Sequence, residues 1–165
     1  MSFLDTIKNK VLIKNNFFSM ILVLVIFFLD RFTKVKILEH NLDGSTLFIN
    51  DYLNYTLVWN TGIGFGLFSL DANIFYHLIT FLIFLILLIL IYLIFKSNLI
   101  DKILFSLILG GALGNFYDRV IYFAVPDFID VHYNEYHWFT FNIADIFISI
   151  GIILLLTKDL ILQKK

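Results

Sequence analysis

Six polar side chains stand near the ends of long apolar stretches: Asp30, Asn115, Asp118, Arg119, Asn142 and Asp145, with Asp127 between the last two stretches. An ionisable group at membrane depth is costly, so each is a functional candidate by default. Asn142 and Asp145 are three residues apart and share one helix face. The chemistry open to such a set is acid–base work by carboxylates. Two carboxylates held close together cannot both ionise cheaply, so one keeps a proton while the other acts as base.

Rival chemistries find less support. The chain has no cysteine, which removes a thiol nucleophile, a disulfide framework and a thiolate metal site. Ser106 and Ser149 stand alone in apolar runs, without a nucleophile-elbow sequence. His132, Glu135 and His137 lack the His-Glu-x-x-His spacing, and interfacial placement explains them better than zinc. The glycines of Asn60-Thr-Gly-Ile-Gly-Phe-Gly66 suggest a phosphate loop, but no strand-loop-helix unit or Lys-Ser/Thr follows. No metal and no cofactor are expected.

Structural readings stand beside the functional ones. Asp30 and Lys34 form an i,i+4 pair of the kind that stabilises a helix end. Asp118 and Arg119 read more readily as a structural ion pair than as catalytic groups. Gly110 and Gly114 have the small-xxx-small spacing that lets helices approach closely.

The elements that must position these groups follow from composition. Hydrophobic residues make up 60% of the 165 and charged residues 15%, with a mean hydropathy of +0.90. Soluble domains run nearer half apolar and a quarter charged. From Leu78 to Phe95 the one plainly polar residue is Thr80, and a bilayer core of roughly 30 Å needs about 20 helical residues. The expected fold is an all-α membrane protein, a single domain over 1–165, with four spans at about 17–38, 72–95, 103–122 and 141–157. A small β-structured platform is expected in the first outer loop, where Leu47 to Trp59 is rich in aromatic and β-branched residues.

Lys8, Lys10 and Lys14 precede the first span, Lys96 and Lys102 flank the middle loop, and Lys158, Lys164 and Lys165 end the chain. No Lys or Arg occurs from Ile37 to Phe95 or from Val120 to Thr157. Both termini are therefore expected in the cytoplasm and the longer loops outside. No small-residue cleavage site follows the first apolar stretch, which reads as a retained anchor. Asp30 lies about 13 residues into the first span, roughly 20 Å of helix rise, so all the polar groups gather near the outer face. The net charge of -1 gives no field pointing to nucleic acid.

With these residues in order, the chain resembles the lipoprotein signal peptidase (signal peptidase II) family. The resemblance is carried by Asp30-Arg-Phe-Thr-Lys34, Asn60-Thr-Gly-Ile-Gly-Phe-Gly66, Gly110-Gly-Ala-Leu-Gly-Asn-Phe-Tyr-Asp-Arg119, Pro126-Asp-Phe128 and Phe141-Asn-Ile-Ala-Asp145. It implies a bacterial inner-membrane aspartyl endopeptidase with Asp127 and Asp145 as its catalytic pair. Supporting roles are implied for Asp30, Asn60, Asn115, Asp118, Arg119 and Asn142. Gly62 begins the segment expected to let a substrate backbone approach closely. Pro126 stands where the family usually has another apolar residue, and Gly64 where alanine or serine is commoner. Asp130 is a rival to Asp127, but only Asp127 is followed by Phe.

The implied substrate is a prolipoprotein, cut just before a diacylglyceryl-modified cysteine. Membrane lipid is the implied surroundings, a monomer the expected state, and globomycin the family's inhibitor. The main alternative is a transporter or channel subunit using the carboxylates as a proton or cation path. A scaffolding protein, its polar cluster only joining helices, is the other.

Overall fold

The structure, a computed structural model, describes residues 3–40, 45–62 and 74–162. In chain order the elements are α1 (Phe3–Glu39), β1 (Thr46–Asn50), β2 (Leu53–Asn60), α2 (Ile74–Lys96), α3 (Leu99–Tyr122), β3 (Val125–Tyr133), β4 (Tyr136–Phe141) and α4 (Ile143–Leu162). Three segments, Leu12–Glu39, Tyr76–Lys96 and Leu99–Tyr122, are long and apolar enough to cross a membrane by length and composition.

Helix α3 is the centre of the bundle and packs against α1, α2 and α4. On α1 the buried residues are Ser19, Val23, Ile26, Asp30, Lys34 and Ile37, at intervals of three and four. That interval keeps them in one stripe, and the rest of the helix is free to face lipid. On α2 the stripe is Leu87, Leu90 and Ile94, which joins Val23 and Leu109 in an apolar cluster.

Glycines set how closely the helices approach α3. A Cβ on Gly110 would meet Ile26 Cβ at 2.8 Å on α1. One on Gly111 would lie 2.5 Å from the Ala144 carbonyl oxygen on α4. The close-packing reading of this glycine run is therefore correct, and it serves two helices at once.

The sheet differs from the expected platform. It has four antiparallel strands in the order β1-β2-β3-β4. The loop between α1 and α2 supplies only half of it, and the chain between α3 and α4 supplies the other half. Asp127 thus lies in a central strand, opposite Val58, rather than in a loop. Phe141 ends β4 and α4 begins two residues later than expected. Phe123 ends α3 in the left-handed region at φ 55, which turns the chain sharply into β3. Phe128 buries against Ile37, with Tyr55, Leu57, Ile129 and Ile143 around it, and so ties the sheet to α1 and α4.

A second difference concerns Lys102, expected to flank a loop. It lies inside α3 and is buried. The α2–α3 connection is only Ser97 and Asn98, and Asn98 caps α3 by accepting from the Asp101 N–H at 3.1 Å. So short a turn folds Lys102 back onto the end of α2.

Candidate active site

The start of α4 builds half of the site by itself. Asn142 precedes the helix, and its Oδ1 accepts from the Asp145 N–H at 3.0 Å. Asp145 Oδ2 accepts in return from the Asn142 N–H at 3.2 Å. This reciprocal arrangement is a capping box, with Asp in place of the usual Glu or Gln. It fixes the Asp145 carboxylate against the helix end. The Asn142 side-chain amide is then left pointing away, and it donates to Asp127 Oδ1 at 2.6 Å. One asparagine therefore touches both aspartates.

Strand β2 completes the hold on Asp127. Asn60 at its end donates to Asp127 Oδ2 at 2.9 Å, while Asn60 Oδ1 accepts from the Gly62 N–H at 2.9 Å. Asp127 is buried, which pushes its carboxyl up to about 7; the nearby Asp145 charge adds to the shift, and the amide bonds from Asn60 and Asn142 oppose it. Asn115 on α3 donates to Asp145 Oδ1 at 2.8 Å. Each of the four carboxylate oxygens thus accepts one N–H.

Behind the pair lies an ionic cluster built on the fully buried Asp30, Lys34 and Asp118. The Lys34 ammonium donates to Asp30 Oδ2 at 2.9 Å, Asp118 Oδ2 at 2.8 Å and Asn115 Oδ1 at 2.8 Å. Arg31 Nη1 pairs with Asp118 Oδ1 at 2.6 Å and its guanidinium lies 4.9 Å from the centre of the Tyr117 ring. Asp30 Oδ1 accepts from the Ala144 N–H at 3.0 Å, in the first turn of α4. Asp30 therefore anchors from α1 the helix end that carries Asp145. A Cβ on Gly114 would fall on the Asp30 carboxylate, so only glycine leaves it room.

All nine site residues expected from sequence join one hydrogen-bonded network, which runs from Asn60 and Gly62 through the aspartate pair to the ionic cluster. Asp118 pairs with Lys34 and Arg31, not with its neighbour Arg119. Arg119 instead donates to the Gly62 carbonyl at 2.5 Å, tying α3 to the turn after β2. Gly64 and Gly66 lie outside the described residues. Asp130 is set apart from the pair: its Oδ2 lies 2.8 Å from His137 Nδ1, and His137 stacks on His132 at 5.1 Å between ring centres. Among the described residues no group of three His, Asp or Glu side chains is arranged to hold a metal.

Lys34 is the functional candidate that the sequence reading leaves in the background. Its signal is its place on the packed stripe of α1, where an unpaired ammonium would be intolerable.

An apolar groove of ≈ 340 Å³ reaches Asp145 from the side. Ile83 and Ile86 of α2 form one wall, Ile148 and Ile152 of α4 the other, and it reaches Asn115, Arg119 and Asp145.

Comparison with known proteins agrees on one family. The family profile for signal peptidase (SPase) II matches residues 22–161. The lipoprotein signal peptidase of Pelagibacter ubique is 46% identical over 162 residues, covering 95% of this chain and 96% of the relative. That of Blochmanniella pennsylvanica is 40% identical over 137 residues, covering 79% and 81%. A solved bacterial membrane enzyme, determined by the in meso method at 2.3 Å resolution, superposes with a TM-score of 0.69. It is 32% identical, and the match covers 86% of this chain and 87% of that one.

Proposed function

The chain belongs to the signal peptidase II family of bacterial inner-membrane proteases, and on that premise we propose that Asp127 and Asp145 are the pair that cleaves its substrate. The substrate is a prolipoprotein, cut before its diacylglyceryl-modified cysteine. The observation that carries this reading is the Asn142 bridge: its amide donates to Asp127 and its backbone N–H to Asp145. No helix-capping requirement explains the bond to Asp127. The transporter alternative draws no support from the family.

Below about pH 7 the pair shares one proton, because burial and the nearby Asp145 raise the Asp127 carboxyl to about 7. The ionised carboxylate takes a proton from water, which attacks the scissile carbonyl. The protonated carboxyl donates to that carbonyl oxygen, and a proton then passes to the departing amine. Asn60, Asn115 and Asn142 hold the carboxylates in place and present no acid of their own.

The groove between α2 and α4 suits a substrate that is itself helical and membrane-bound. Its walls are apolar along the bilayer depth except for Ser149, and its charged groups stand at the end that reaches Asp145. Helix α4, with no charged residue from Ile146 to Thr157, makes the fourth span. Both termini lie in the cytoplasm, and the sheet rests on the outer interface, where exposed Trp59, Tyr52, Tyr133, Tyr136 and Trp138 are suited to the headgroup region. The protein acts as a monomer, and globomycin inhibits it.

The test is cleavage of a diacylated prolipoprotein by purified protein in detergent. Wild type releases the signal peptide, and Asp127→Asn and Asp145→Asn each lower turnover by about 10³-fold or more while still folding. Normal turnover in either folded variant removes the pair from the mechanism.

A further inference from the structure

An asparagine amide has two ends of nearly equal shape, one donating and one accepting. Turned the wrong way, it would set a carbonyl oxygen against a carboxylate. Three asparagines face the aspartate pair here, and each is held from behind by a group that can only donate. The Gly62 N–H holds the Asn60 oxygen at 2.9 Å, and the Asp145 N–H holds that of Asn142 at 3.0 Å. The Lys34 ammonium holds that of Asn115 at 2.8 Å. Two of the three holds are backbone, present whatever the side chain. The third depends on one lysine.

We propose that Lys34 is a positioning residue for peptide cleavage, acting through Asn115. By taking the amide oxygen it turns the Asn115 NH2 onto Asp145 Oδ1, 2.8 Å away. That bond fixes which way the Asp145 carboxylate faces in the pair, as the amides of Asn60 and Asn142 do for Asp127. Lys34 is itself aimed. Its three protons go to Asp30, Asp118 and Asn115, which leaves none to wander. Two carboxylates, Asp30 and Asp118, face two cations, Lys34 and Arg31, so the cluster balances its own charge. Beside the charge it places near the pair, Lys34 therefore gives Asp145 its direction, transmitted by an amide.

This inference rests on the reading of Asp127 and Asp145 as the catalytic pair. Retained turnover in Asp127→Asn or Asp145→Asn sinks that reading first, whatever Lys34 does. The test proper is a double-mutant cycle of Lys34→Met and Asn115→Ala in the otherwise native protein. Lys34→Met is also read together with Asp118→Asn, which removes one negative charge as Lys34→Met removes one positive charge, so that this combined variant stays balanced with Asp30 and Arg31. The readouts are kcat and KM on the diacylated prolipoprotein, the pH profile of kcat, and thermal unfolding.

With Asn115 present, Lys34→Met lowers kcat roughly ten- to a hundredfold, moves KM less than about threefold and shifts the acid limb of the profile. Once Asn115→Ala has removed the amide, the same substitution changes kcat less than about threefold. Equal losses in both backgrounds overturn the proposal, since Lys34 then acts without Asn115. Lys34→Gln is the second variant, able to donate to the amide but uncharged; it recovers part of the kcat lost in Lys34→Met. If neither replacement yields folded protein, Lys34 belongs to the fold alone and the proposal falls.

Discussion

Lys34 and Lys102 are both buried, and they stand toward opposite ends of the helical bundle. Lys34, at the sheet end, meets two carboxylates and a side-chain amide. Lys102, at the far end, donates to the Ile94 carbonyl at 2.7 Å, to the Phe95 carbonyl at 3.4 Å and to Asn16 Oδ1 at 2.5 Å. It is held by the negative end of the α2 dipole and by carbonyls the helix leaves unpaired. Both solutions make a buried ammonium tolerable. Only the first uses side chains that touch something else, and through Asn115 and Asp30 it reaches Asp145 and its helix. The far end fastens α2 to α3 and α1; the sheet end fastens three helices and also aims a carboxylate.

The sharpest way to break this contrast is to disturb each end by one methyl group. Gly114→Ala places a Cβ on the Asp30 carboxylate, which cannot move without releasing the Ala144 N–H and Lys34. Turnover is expected to fall about 10²-fold or more in the prolipoprotein assay, the scale on which misplaced catalytic groups act. Gly151→Ala, toward the far end, meets Ile108 Cγ1 at 2.6 Å and the Leu104 carbonyl oxygen at 3.1 Å, an apolar helix contact that touches none of the site's carboxylates. It is expected to lower the unfolding temperature and leave kcat within about threefold. Equal loss of kcat in the two variants would erase the distinction.

A smaller effect comes from pH. The Asp127 carboxyl is raised from 3.8 to about 7, so between those values the folded protein holds a proton that the unfolded chain has released. Stability from this group is therefore greatest at the acid side of that window and is lost as pH rises through about 7. Cleavage follows the same sign, falling toward tenfold per pH unit once the pair has lost its shared proton. A kcat/KM profile that stays level through about pH 9 would contradict it. The smallest effect is at Lys102. Lys102→Met leaves the α2 carbonyls unpaired, at a cost of about 2 kcal/mol or roughly 5 °C in Tm, with kcat within about twofold. A large kcat loss there would show that the far end too is coupled to the site.

Much of the site is legible in the amino-acid sequence, because membrane spans restrict where polar groups occur. The Asn142–Asp145 spacing, the depth of Asp30 and the polar end of α3 all point to one place. Lys34 is harder to read. As an i,i+4 partner of Asp30 it fits an exposed helix end equally well, and only the stripe from Ser19 to Ile37 reveals that both are packed inward. The sheet is half legible: β1 and β2 are local in sequence, whereas β2 must pair with β3 across the whole of α2 and α3. No periodicity within a strand encodes a partner so distant. Asp118 and Arg119 show the same limit, since adjacent opposite charges suggest a pair and a helix points them in different directions. Lys102 misleads for a converse reason, in that a lysine near a tight turn looks solvated until the turn is seen to bend it inward.

The balanced cluster behind the aspartates also bears on how the protein is made. Asp30, Arg31 and Lys34 emerge together on α1, and Asp118 follows 84 residues after Lys34. Throughout that interval of synthesis α1 carries one positive charge more than its own carboxylate can balance, in a segment meant for hydrocarbon. Its stable burial must wait for α3, so the last helices to leave the ribosome complete the insertion of the first. Assembly of the active site and completion of membrane integration are then one event, and a chain truncated before Asp118 would be exposed to quality-control proteolysis as well as inactive.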